Sequence, residues 1–189
     1  MKNRLFSLSS ELFNSGESAS KGEKQGMGQA DSYYYHEALH HFQEAYQKQT
    51  NGQLVEAIQL YQKSIDLYPT AEAHTFLGWA YSFQGRLQDA ITECQKAIEV
   101  DPEYGNPYND IGSYLIEQGK LDEAVSWLEK ALEAKRYESY CYPHYNLGRI
   151  WEQKGNWFRA VDSYQNALRE NADYTLARKA LNRVQSMLN

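Results

Sequence analysis

Between residues 71 and 100 the apolar positions recur at intervals of three and four. They run first as Phe76, Leu77, Ala80 and Tyr81 and then, after a break, as Ala90, Ile91, Cys94, Ala97 and Ile98. That spacing predicts two amphipathic helices, over 71–84 and Leu87–Val100. The break between them carries Gly85, a residue that accepts the positive φ of a helix C-terminus and so permits a tight reversal.

The pattern returns along the chain. A glycine followed five residues later by alanine occurs at Gly52 and Ala57, Gly85 and Ala90, Gly119 and Ala124, and Gly155 and Ala160, with 33, 34 and 36 residues between successive glycines. Leu54, Leu87, Leu121 and Trp157 follow the glycines by two positions, and Ile58, Ile91, Val125 and Val161 follow the alanines by one. Each period therefore holds one helical hairpin that cannot bury its apolar face alone and must stack on the next. Gly78, Gly112, Gly148 and the four alanines are small enough for helix backbones to approach closely where a pair crosses, and Pro69 and Pro102 end the second helix of two units.

The unit from 71 to 102, with His74, Leu77, Gly78, Tyr81, Ala90, Cys94, Ala97 and Pro102, resembles the tetratricopeptide repeat. The next unit matches through Tyr108, Ile111, Gly112, Leu115, Ala124, Leu128 and Ala131, and the last through His144, Leu147, Gly148, Trp151, Ala160, Tyr164 and Ala167. The resemblance implies an all-α, right-handed αα-solenoid of four repeats over 33–173, at about 38–70, 71–104, 105–140 and 141–173. A capping helix is expected over 174–189, where Ala177, Ala180, Leu181, Val184 and Leu188 form one stripe. The sequence departs from the family at Glu44 and Lys48, where apolar residues are expected. It also departs at Arg136 and Ala172, where proline is missing, and at 137–142, where two extra residues enter. The insertion is expected to alter the stacking of the third and fourth repeats.

Ahead of the repeats, residues 16–32 are rich in Gly, Ser, Lys and Gln and read as a flexible linker, so 1–32 is expected to form a flexible segment. Within it Leu5, Phe6, Leu8, Leu12 and Phe13 have the makings of a short amphipathic helix.

Composition narrows the function. A net charge of -6 supplies no basic face for nucleic acid and disfavours an anionic membrane surface. With no signal-peptide pattern at the start and no long apolar run, the chain reads as cytoplasmic. Cys94 and Cys141 have no metal-ligand or redox spacing, and reduced, buried thiols are the expectation. The glycines at 22, 26 and 28 are not followed by the Gly-Lys-Ser/Thr of a phosphate loop. His36, His40 and Glu44 fall on one face of the first helix, but helical spacing produces such rows by chance, and neither a metal nor any other cofactor is expected. His74 and His144 stand where the family packs bulky side chains. No set of carboxylates or nucleophiles converges on a pocket, so no enzyme is expected.

In tetratricopeptide arrays the first helix of each pair lines a concave groove that receives a peptide. Carried over to this chain, those positions are Phe42 and Tyr46; Thr75, Trp79 and Phe83; Asn106, Asn109, Ser113 and Glu117; and Tyr142, Tyr145, Arg149 and Glu152. The resemblance thus implies a scaffold or adaptor for a protein or peptide ligand, with an aromatic half near Tyr46, Trp79 and Phe83 and a polar half near Asn109, Tyr145 and Arg149. The absence of lysine from the set disfavours a clamp for C-terminal carboxylates. The alternative is a self-assembling structural protein whose N-terminal segment or end faces mediate homo-oligomerisation.

Overall fold

A computed structural model describes residues 29–188, all nine of whose elements are helices, with no strand among the described residues. The chain divides into two compact units at Pro69 and Thr70. Residues 1–28 of the flexible segment expected over 1–32, with the Leu5–Phe13 apolar cluster, lie outside the described residues.

The first unit holds α1 (Gln29–Thr50) and α2 (Leu54–Leu67), packed as an antiparallel hairpin. Ala38, Phe42 and Ala45 of α1 and Ala57, Ile58 and Tyr61 of α2 are buried. Two side-chain bonds fix the register, from the Ser64 hydroxyl to the Ala38 carbonyl and from the Tyr61 hydroxyl to Gln49 Oε1, each 2.8 Å. Helix α1 begins at Gln29, inside the stretch whose composition reads as linker. Asp31 in its first turn complements the helix dipole, and Tyr35 packs edge-on against Tyr68. Tertiary contact here overrides local composition.

The second unit contains three hairpins and a final helix. The hairpins are α3 (Ala71–Phe83) with α4 (Leu87–Val100), α5 (Gly105–Glu117) with α6 (Leu121–Glu133), and α7 (Cys141–Gln153) with α8 (Trp157–Glu170); α9 (Thr175–Leu188) packs on α8. Helices α3 and α5 touch, as do α5 and α7, so the first helices of the hairpins lie side by side. Every hairpin turn in both units has a glycine with φ between 70° and 80°, at Gly52, Gly85, Gly119 and Gly155. After Gly85 the Arg86 amide reaches back to the Tyr81 carbonyl at 3.1 Å, closing the six-to-one bond of a Schellman turn.

The cores are made where a small residue meets a large one. Tyr164, fully buried, lies against Gly148, where an added Cβ would stand 2.4 Å from its ring. Cys94 and Cys141 are buried and form no disulfide, and burial pushes the Cys141 thiol up to about 11.

The connection after α6, where the chain has two extra residues, is strapped to the connection between α4 and α5. The Arg136 amide donates to the Glu103 carbonyl at 2.9 Å and the Gly105 amide to the Arg136 carbonyl at 3.1 Å. The Arg136 guanidinium pairs with Glu72 and Asp101, both at 2.6 Å, and lies 4.1 Å over the Tyr104 ring. A proline at this position would remove both the amide donor and the cation.

Candidate functional site

The sequence positions a surface on the first helices of the hairpins. On α5 the residues 106, 109, 113 and 117, and on α7 the residues 142, 145, 149 and 152, are spaced by three or four and so share a face. On α3, Thr75, Trp79 and Phe83 do the same. Since α3, α5 and α7 lie side by side in one unit, the three rows are neighbours.

The rows differ in how much they leave exposed. Thr75 is buried, its hydroxyl turned back to the Ala71 carbonyl at 2.7 Å. Trp79 is buried too, edge-on to Phe76 and tilted against Phe83, with ring centroids 5.7 and 5.3 Å apart. Phe83, one turn further, is 43% exposed. On α5, Asn109 is buried; Asn106 and Ser113 are half-buried, and Glu117 is exposed. On α7, Tyr142, Tyr145, Arg149 and Glu152 are all half-buried.

A polar chain joins α5 to α7. The Asn146 amide donates to Asn109 Oδ1 at 3.0 Å, and Arg149 donates to Asn146 Oδ1 at the same distance. Both asparagines are buried, so these bonds satisfy groups that would otherwise cost about 1–3 kcal/mol each. Asn146 is adjacent in sequence to the expected row, and its part depends on which residue of the neighbouring helix it meets. Asn109 and Arg149 are thereby partly committed to the protein itself.

Glu152 is committed further. It accepts from the Tyr164 hydroxyl at 2.7 Å and from Arg183 of α9 at 3.0 and 2.8 Å. Desolvation works to raise its pKa, but the bonds from Arg183 and Tyr164 prevail and hold the carboxyl below its ordinary value. Its geometry is that of a clasp between α7 and α9. Tyr174, also outside the expected set, stacks edge-on with Tyr142 and Tyr145 at 5.4 and 5.2 Å. The α7 end of the surface is thus a rigid aromatic cluster.

The remaining two expected positions belong to the first unit. Phe42 is buried against Tyr61, with ring centroids 5.6 Å apart, and fills the hairpin core. Tyr46 is half-buried, and burial raises its phenol pKa.

Nor does the histidine chemistry follow the sequence pattern. The structure clusters His40, His41 and Glu44, not the row His36, His40 and Glu44, and the His36 Nδ1 is bonded to the Ser32 carbonyl at 2.5 Å. His74 is buried with its Nδ1 2.8 Å from Glu93 Oε2, and Lys96 holds the other carboxylate oxygen at 2.8 Å. Burial opposes ionisation of Glu93, yet the bonds from His74 and Lys96 outweigh it and lower the pKa.

Tetratricopeptide-repeat profiles match residues 71–104, 93–126 and 144–175. The chain is a tetratricopeptide-repeat protein. As such it shares 32% identity over 78 residues with small glutamine-rich tetratricopeptide repeat-containing protein 2 of Mycosarcoma maydis, covering 41% of this chain and 22% of that one. The chain spans about a fifth of the length of several curated relatives that it matches. Among solved structures, PilF of Pseudomonas aeruginosa superposes with a TM-score of 0.76 at 21% identity, over 82% of this chain and 70% of that one. YrrB, described as a tetratricopeptide-repeat protein with an unusual peptide-binding site, gives a TM-score of 0.62 at 21% identity, over 76% and 73%. At these identities the superpositions establish the helical-repeat solenoid fold.

Proposed function

We infer that this tetratricopeptide-repeat protein is a non-enzymatic scaffold that holds a peptide or protein segment along the face of α3, α5 and α7. The supporting observation is the composition of the surface left once the buried members are set aside. At one end Phe83 offers an exposed ring whose inner edge rests on the buried Trp79. At the other, Tyr142 and Tyr145 are partly exposed and fixed by Tyr174. Between them stand the amide oxygen of Asn106, whose Nδ2 donates to the Tyr104 hydroxyl at 2.6 Å, the hydroxyl of Ser113 and the carboxylate of Glu117.

Aromatic rings held in place by their neighbours contribute contact area at low entropic cost, and rings of this kind dominate binding energy in protein interfaces. Amide and hydroxyl groups pair with a ligand's backbone whatever its sequence. The peptide-binding site named for YrrB supports the same use of the fold. A cytoplasmic setting accords with the reading; among the described residues no helix is long and apolar enough to cross a membrane.

The test is to pan a displayed peptide library on the immobilised full chain and measure the selected peptides against variants. Phe83→Ala and Tyr145→Ala should each weaken binding by about 2 kcal/mol if they are anchors. Glu129→Ala and Lys130→Ala, on the exposed side of α6, should leave it unchanged. Peptides that bind the first pair of variants normally and fail on the second would move the site to the outer helices and overturn the proposal.

A further inference from the structure

The groove leaves unused a cluster on α1, in the first unit. His40 and Glu44 are one turn apart, and His41 and Glu44 are three residues apart, so a single carboxylate is within reach of two imidazoles. The three prospective ligand atoms lie within 4.8 Å of one another. His40 is exposed, while His41 and Glu44 are half-buried. His41 Nδ1 is shielded from solvent and has no hydrogen-bond partner among the described residues; Glu44 Oε2 is 4.0 Å away.

That separation is too long for a hydrogen bond and too short for an intervening water to bond well to both groups. It is close to the distance at which one small cation bridges two donors, since zinc lies about 2.0–2.1 Å from an imidazole nitrogen and about 2.0–2.2 Å from a carboxylate oxygen. An ion there would give the orphaned His41 nitrogen the partner it lacks. Closing the three donors to the roughly 3.4 Å separation of a tetrahedron requires rotation of the three side chains about their own bonds. Two imidazoles and one carboxylate suit a borderline transition ion and not the hard, oxygen-seeking calcium or magnesium.

We propose that His40, His41 and Glu44 form a binding site for a divalent transition-metal ion of the zinc class, with a water molecule in the fourth position. Both histidines ligate as neutral imidazoles and Glu44 as the carboxylate. All three ligands come from a single helix, so the bound ion cross-links one turn of α1 and holds that turn against fraying.

The experiment is calorimetric titration of the full chain with zinc chloride, with magnesium chloride as the control. Zinc should bind at one ion per chain, and magnesium should give no saturable heat. His40→Gln, at an exposed position, and Glu44→Gln should each weaken zinc binding about tenfold or more, with helicity by circular dichroism unchanged. His36→Gln, whose ring is already engaged with Ser32, should bind as the wild type does. Absence of zinc binding to the wild type overturns the proposal. So does one-to-one binding that survives both His40→Gln and Glu44→Gln, which would place the ion on other ligands such as His74 or His144.

Discussion

Gly148→Ala tests how rigidly the last hairpin is packed. In an exposed helix the substitution would stabilise by about 1 kcal/mol, because alanine loses less backbone entropy than glycine. Here the new methyl would stand 2.4, 2.5 and 2.9 Å from three carbons of the Tyr164 ring, where carbon atoms ordinarily rest about 3.5–4.0 Å apart. The ring would have to retreat by about 1 Å. It has nowhere to go: Tyr164 is fully buried, its hydroxyl is bonded to Glu152 at 2.7 Å, and its face is tilted against Tyr145 at 5.7 Å. Overpacking of this kind costs about 1–3 kcal/mol, and displacement of the Tyr164–Glu152 bond adds about 1.5–3 kcal/mol. Set against the propensity gain, the net expectation is a destabilisation of about 1.5–5 kcal/mol. Urea unfolding followed by circular dichroism measures it. In a Tyr164→Leu background the ring is gone, and the penalty of the added methyl should shrink by about 1 kcal/mol or more. If Gly148→Ala matches or exceeds the wild type in stability, or costs the same with and without the Tyr164 ring, the close approach is not what constrains this position.

Trp79→Ala removes a buried ring from α3 and should cost about 3–5 kcal/mol in the same unfolding assay, so it reads out packing before it reads out ligand binding. Arg136→Met removes two ion pairs and a ring contact from a half-exposed side chain; the expected loss is about 1 kcal/mol, falling with added salt. The carboxyls of Glu93 and Glu152 titrate below the usual 4.5 in the folded state, so their contribution is intact above pH 4.5 and lost as pH falls through the depressed values. Urea midpoints measured from neutrality into acid should therefore drop below about pH 4.5 for the wild type. Glu93→Gln should show a smaller drop.

The helical hairpins were legible because their cause is local. Apolar spacing and the turn glycines predict α4 with the bounds observed, Leu87–Val100, and α3 to within one residue of its end at Phe83. The start of α1 was not, since a polar, linker-like composition gives no hint that Tyr35 will find Tyr68. The candidate site was legible only as rows of positions. Helical spacing tells which residues share a face but not how closely the next helix approaches. Trp79 and Asn109 therefore fall on the expected face and yet are buried, and Glu152 is drawn to Arg183, 31 residues on. The strap through Arg136, which reaches Glu72 across 64 residues, was invisible for the same reason. It exists only once two successive repeats have been superposed in space.

The two buried thiols divide the second unit between them, Cys94 in its first hairpin and Cys141 in its last. At neutral pH a thiol with a pKa near 11 is ionised in only about one molecule in ten thousand, and Cys141 is sealed besides. Alkylation of either sulfur therefore waits for its own hairpin to open. An array of stacked hairpins unravels by losing neighbours in order, and the relative labelling rates of the two cysteines keep a record of that order. The chain contains, without any engineered probe, a pair of clocks that report which end lets go first.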